Sequence, residues 1–98
     1  MAALTFTEAG SGYMATATVN SDFNIHIECA KRSTVTIDIT TLEGGEYRNI
    51  YTEEKISHEE EYSSKVYPKY LRIYSSAQPI AEKSVITEAE ESEDSEEA

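Results

Sequence analysis

Apolar and polar residues alternate with a period of two along most of this chain. Leu4 and Phe6 alternate with Thr5 and Thr7, and Tyr13, Ala15, Ala17 and Val19 with Met14, Thr16 and Thr18. Ile25, Ile27 and Cys29 alternate with His26 and Glu28. In "STVTIDIT", Val35, Ile37 and Ile39 point one way while Thr34, Thr36, Asp38 and Thr40 point the other. This is the period of half-buried β-strands, and threonine suits the wet face of a pleat. Gly10-Ser11-Gly12, Asn20-Ser21-Asp22, Lys31-Arg32-Ser33 and Glu43-Gly44-Gly45-Glu46 read as turns between those runs. The Gly44-Gly45 pair supplies positive φ freely, so residues 34–41 and 46–52 are expected to form a hairpin. Seven to eight short strands at roughly ten-residue spacing predict an all-β domain. The expected form is a single antiparallel β-sandwich over residues 1–87, jelly-roll or immunoglobulin-like.

Residues 53–65, "EEKISHEEEYSSK", have one aliphatic residue, Ile56, and no apolar stripe at helical spacing. Ile56, His58, Glu60 and Tyr62 alternate with Lys55, Ser57, Glu59 and Glu61, which suits an exposed edge strand. Its charges would discourage edge-to-edge aggregation. Pro68 biases Tyr67 toward extended geometry and opens "KYLRIYSS", where Leu71 and Ile73 face one way and Tyr70, Arg72 and Tyr74 the other. Pro79 precedes a last strand at about Ile80–Thr87. Residues 88–98, "EAEESEDSEEA", lack any aliphatic larger than alanine and are expected to form a disordered acidic tail.

Charge sharpens this picture. The 98-residue chain carries −11, yet seven acids and no bases fall within residues 88–98. Residues 1–87 hold twelve acids against eight bases, so most of the imbalance sits in the tail. An acidic body argues against direct nucleic-acid binding, which rests on lysine and arginine at phosphates. The lone Cys29 offers no internal disulfide. The N-terminal "MAALTFTEAGSG" has neither a basic region nor a continuous apolar run of the secretory kind. No apolar stretch approaches the ~20 residues of a membrane helix. The expectation is a soluble protein made in the cytoplasm, with no membrane partner.

Catalytic and metal chemistry find little support in the residues. Cys29 shares a face with Ile25 and Ile27, as a buried structural thiol does. His26 and His58 are the only histidines and show no zinc-ligand spacing. Asn20-Ser21-Asp22-Phe23-Asn24 resembles the start of a calcium loop, but Ile25 replaces the turn glycine and Lys31 the final glutamate. Glu53-Glu54 and Glu59-Glu60-Glu61 lie in charged surroundings, not the apolar pocket a general acid needs. Neither a phosphate-cradling glycine loop nor a nucleophile elbow is present. The expected protein is not an enzyme and takes no cofactor or metal.

Two surfaces remain. Tyr70, Arg72 and Tyr74 share one strand face, and tyrosine with arginine is the pairing enriched at binding hot spots. The same residues would also serve as the rim of a core, the plainer reading, or as a sugar platform, the least favoured. The acidic tail is either a solubilising brush or a clasp for a basic partner. The hairpin "VTIDITTLEGGEYRNIY" followed by "KYLRIYSSAQP" resembles small β-sandwich modules of tailed-phage virions, among them decoration, auxiliary capsid and fibre proteins. It is also similar to jelly-roll carbohydrate-binding domains. The resemblance spans about residues 33–80 and rests on strand pattern and turn chemistry, with no site residue carried over. It implies a chain that works by occupying a surface in many copies, with a repeated protein lattice or its own copies as partner. A carbohydrate-binding module is the second reading. The third is an acidic decoy for a nucleic-acid-binding protein.

Overall fold

The computed structural model describes residues 2–42 and 44–89. Seven strands build it: β1 (Ala2–Ala3), β2 (Thr7–Ala9), β3 (Gly12–Val19), β4 (Phe23–Thr40), β5 (Arg48–Tyr62), β6 (Lys69–Ser75) and β7 (Val85–Glu88). All pairings are antiparallel, in the order β1-β7-β4-β6-β3-β2, with β5 on β4. The antiparallel all-β character read from the sequence holds. Among the described residues no helix is long and apolar enough to cross a membrane.

The strands are not all short. Lys31-Arg32-Ser33 is not a turn: β4 runs unbroken through it from Phe23 to Thr40. Instead the pairing with β5 shifts register between Glu28 and Ser33, so residues 29–32 stand opposite Ile56 alone. A bulge of this kind bends and twists the strand that carries it. Neighbours change across the bend. Phe23–His26 pair with β7, whereas Val35–Thr40 pair with β6. One long strand thereby serves both halves of a curled sheet.

Both halves face one core. Ile25, Ile27 and Cys29 lie before the bend and Val35, Ile37 and Ile39 after it, all buried in the same cluster. Leu71, Ile73 and Ala15 join them from β6 and β3, so the alternation read from the sequence gives the correct inner face for each of these strands. At the β4–β5 turn Gly44 takes φ +80° and the Gly45 N–H donates to the Leu42 carbonyl at 2.7 Å. That conformation suits glycine.

Other expectations are corrected. Residues 46–52 and 53–65 are not two strands; one strand, β5, runs from Arg48 to Tyr62, pairing only with β4 as an edge strand does. Ile56 is 51% exposed and His58 is 2% exposed. The bulge lifts Ile56 off the core, and His58, paired with Ile27, turns inward in its place. Leu4 is buried but lies between strands, its N–H donating to the Ser84 carbonyl at 2.9 Å. The expected last strand begins later, because Ala81–Lys83 form a 3₁₀ turn before β7. Glu88 belongs to the sheet and its carboxylate accepts from the Asn20 N–H at 2.8 Å, so the body extends past residue 87. The acidic segment from residue 90 onward lies outside the described residues.

Candidate functional site

β6 sits between β3 and β4, and the register assembles a mixed aromatic and polar outer face. Tyr70 lies between Thr18 and Thr40, Arg72 between Thr16 and Asp38, and Tyr74 between Met14 and Thr36. Strand alternation keeps these nine positions on one side, with Leu71 and Ile73 buried on the other. Tyr70, Arg72 and Tyr74 therefore share the face assigned to them from the sequence.

Arg72 is the centre of this face. Its guanidinium carbon lies 4.1 Å from the Tyr47 ring centroid and 5.5 Å from that of Tyr74. Its Nη2 is 3.7 Å from the Asp38 carboxylate, and its Nε is buried without a hydrogen-bond partner among the described residues. Asp38 is fixed in turn: the Asn49 amide donates to it at 3.0 Å and to the Tyr51 carbonyl at 3.1 Å. The Thr52 hydroxyl then donates to the Asn49 side-chain oxygen at 3.2 Å. A planar cation close to two rings and a carboxylate is held before any partner arrives.

Tyr47 escaped the sequence reading. It falls within the expected strand 46–52 but lies ahead of β5, which begins at Arg48, so strand alternation does not set its direction. Asp38 had a signal, since it falls on the polar side of "STVTIDIT". Only the β4–β6 pairing brings it to Arg72. Open clefts flank the cluster. One of about 360 Å³ is lined by Thr16, Thr18, Tyr47 and Tyr70. Another, of about 280 Å³, is lined by Tyr13, Thr34 and Tyr74 with the β2–β3 turn.

The remaining chemistry-bearing residues have structural partners. Cys29 is buried with its Sγ 3.8 Å from the Ser75 hydroxyl. His26 lies 3.6 Å from Glu28 and 3.5 Å from Glu59. The His58 Nε2–H donates to the Lys55 carbonyl at 3.0 Å, and its Nδ1 accepts from the Tyr51 hydroxyl at 2.8 Å. Burial is the main reason His58 titrates below the ordinary histidine value. The Asp22 carboxylate is also occupied. It accepts from the Tyr67 hydroxyl at 2.6 Å and from the Ser64 N–H at 3.2 Å. The Tyr67 bond chiefly holds it below the usual carboxylate range, while burial, aided by Asp22, pushes the Tyr67 phenol up to about 12.

No protein-family model matches this chain, and no curated protein matches it.

Proposed function

We propose that this chain is a non-enzymatic interaction module whose contact surface is the outer face of β3, β6 and β4. Tyr70, Arg72 and Tyr74 are the anchors, with Tyr47 joining them. The curled sheet is read as a β-sandwich, its two halves joined by the bent β4–β5 pair. The observation that carries this reading is the Tyr47–Arg72–Tyr74 stack braced by Asp38. Such a cluster presents large rigid side chains whose ordering cost is met within the fold, which is how hot-spot residues bind strongly. Specific contacts need about 800 Å² per partner, and repetition on a lattice multiplies a weak contact through avidity. A protein lattice is the partner this favours, with an accessory role on a virion as its setting. That setting draws on the strand-and-turn resemblance of residues 33–80.

Affinity capture with the intact chain beside Tyr70→Ala/Tyr74→Ala, read by mass spectrometry, tests the surface. One abundant lattice-forming protein held by the intact chain and lost by the folded double variant is expected. Equal capture by both would remove the anchor assignment. The cleft between Tyr47 and Tyr70, with the Thr16 and Thr18 side chains in its lining, favours a second reading, in which a sugar ring stacks there. Tyrosine fluorescence titrated with soluble polysaccharides separates the two, because a lattice binder leaves it unchanged.

A further inference from the structure

β5 leaves one long edge of the sheet open. Among the described residues its strand partner is β4 alone, while β1 and β2 at the other margins are two and three residues long. The end of β5 carries Glu59, Glu60 and Glu61 in succession. Glu59 and Glu61 pair with His26 and Asn24 and share the outer face, whereas Glu60 pairs with buried Ile25 and points to the inner side. An open groove of about 440 Å³ is nonetheless lined by Asn24 and all three glutamates. Asn24 stands on β4, so this groove opens over the outer face of the β4–β5 pair, beside the free edge of β5. An added strand would run along that edge.

We propose that this edge takes an extended lysine- or arginine-rich segment of a partner protein, which adds to β5 as a further strand. Unpaired backbone groups on an edge supply the affinity of strand addition, and side chains on alternate faces supply its selectivity. Charge decides the occupant. A second copy of β5 would set glutamates against glutamates, and like charges directly opposite one another destabilise a strand pair. The chain's own residues 90–98 carry six acids and no base, so they are repelled as well. A basic strand gains from the same charges: lysines at alternate positions stand opposite Glu59 and Glu61 on the outer face. The device that protects the edge from its own kind therefore selects its partner. This surface is separate from the Tyr70–Arg72–Tyr74 face and stands or falls without it.

The test titrates the full ¹⁵N-labelled chain with a ten-residue alternating Lys-Thr peptide, its Glu-Thr counterpart, and the Lys-Thr peptide N-methylated at alternate amides. Strand addition predicts binding of the Lys-Thr peptide alone, with new amide protection within Ser57–Tyr62. It further predicts at least a tenfold loss of affinity between about 50 and 500 mM salt. Glu59→Gln/Glu60→Gln/Glu61→Gln should weaken binding at least tenfold while the spectrum stays dispersed. Equal binding of the N-methylated peptide would overturn the proposal, since only charge condensation would remain. Shifts confined to residues 90–98, or no binding at all, would overturn it too.

Discussion

Arg48 and Tyr62 stand fourteen residues apart at the two ends of β5, yet the Arg48 guanidinium donates to the Tyr62 hydroxyl at 3.2 Å. A straight strand would separate them by roughly 46 Å, at about 3.3 Å per residue. The Tyr51–His58 hydrogen bond repeats the contact nearer the bend. The bulge opposite Ile56 thus folds β5 back on itself, and its two arms meet across the margin of the core. Sequence places the apolar faces; the bulge closes them around one interior.

Tyr62 carries that closure through its ring more than its hydroxyl. It stacks on Phe23 with centroids 5.5 Å apart, and the Lys69 ammonium lies 5.9 Å above it. Tyr62→Ala is expected to cost about 2–3 kcal/mol, below the range for a fully buried aromatic. Tyr62→Phe should cost only about 0.5–1.5 kcal/mol, the worth of one hydrogen bond. Urea unfolding followed by circular dichroism checks both. Equal losses would mean that the Arg48 contact, not the stack, holds the arms together.

The Tyr47–Arg72 pair is measurable by a double-mutant cycle. Tyr47→Ala, Arg72→Ala and their combination should show a coupling of about 0.5–1 kcal/mol, as expected of a part-exposed cation–π contact. Arg72→Lys should recover little of it, because an ammonium lacks the plane that stacks on the ring. Additive losses would show that Tyr47 merely rests near Arg72.

Much of this was legible in the sequence, and the failures share a cause. Period-two alternation reports which face a residue takes, so Ile37, Ile39, Leu71, Ile73 and the Tyr70–Arg72–Tyr74 face were readable. Alternation is blind to bulges. Lys31-Arg32-Ser33 has the composition of a turn, and nothing local reveals that β5 continues opposite it through the bend. Ile56 and His58, which alternation sets on one face, fall in opposite environments for the same reason. Tyr47 reached Arg72 through a loop, and Asp38 reached it through a pairing distant in sequence.

Gly12 marks a backbone approach no other residue tolerates. A Cβ placed there would stand 2.6 Å from the Ser75 carbonyl oxygen, a main-chain atom of the adjoining strand. Gly12→Ala should therefore cost about 2 kcal/mol or more, as overpacking against rigid structure does. Gly44→Ala, with open space but positive φ, should cost closer to ~1 kcal/mol. Thermal unfolding of the two variants side by side provides the comparison.

His58 gives the fold an acid dependence. Its folded value lies below the ordinary 6.5, so the unfolded chain binds the extra proton first as pH falls. Its contribution is whole above about pH 6.5 and declines as pH drops from there through the folded value. The neutral ring suits its site, since Nδ1 accepts from Tyr51 while Nε2–H donates to Lys55. His58→Phe should lower stability at pH 7.5 but flatten its fall between pH 6.5 and 5. Urea midpoints across that range decide it, and an unchanged slope would assign the dependence elsewhere.

Asp22 and Tyr67 act at both ends of the pH scale. Asp22 is held below the ordinary carboxylate value, so its contribution is present above about pH 3.8 and is lost as pH falls through the folded value. Tyr67 has the opposite sign. Its phenol, pushed up to about 12, keeps a proton that the unfolded chain releases near 10. Its contribution is full below pH 10 and disappears as pH rises through about 12. Burial also raises the Tyr51 phenol, so ultraviolet titration should show two of the seven tyrosines ionising late, one of them Tyr67. Asp22→Asn should bring that phenol only part of the way back, because burial is the larger cause and the carboxylate the smaller. A Tyr67 titration unmoved by the substitution would show that burial alone delays it.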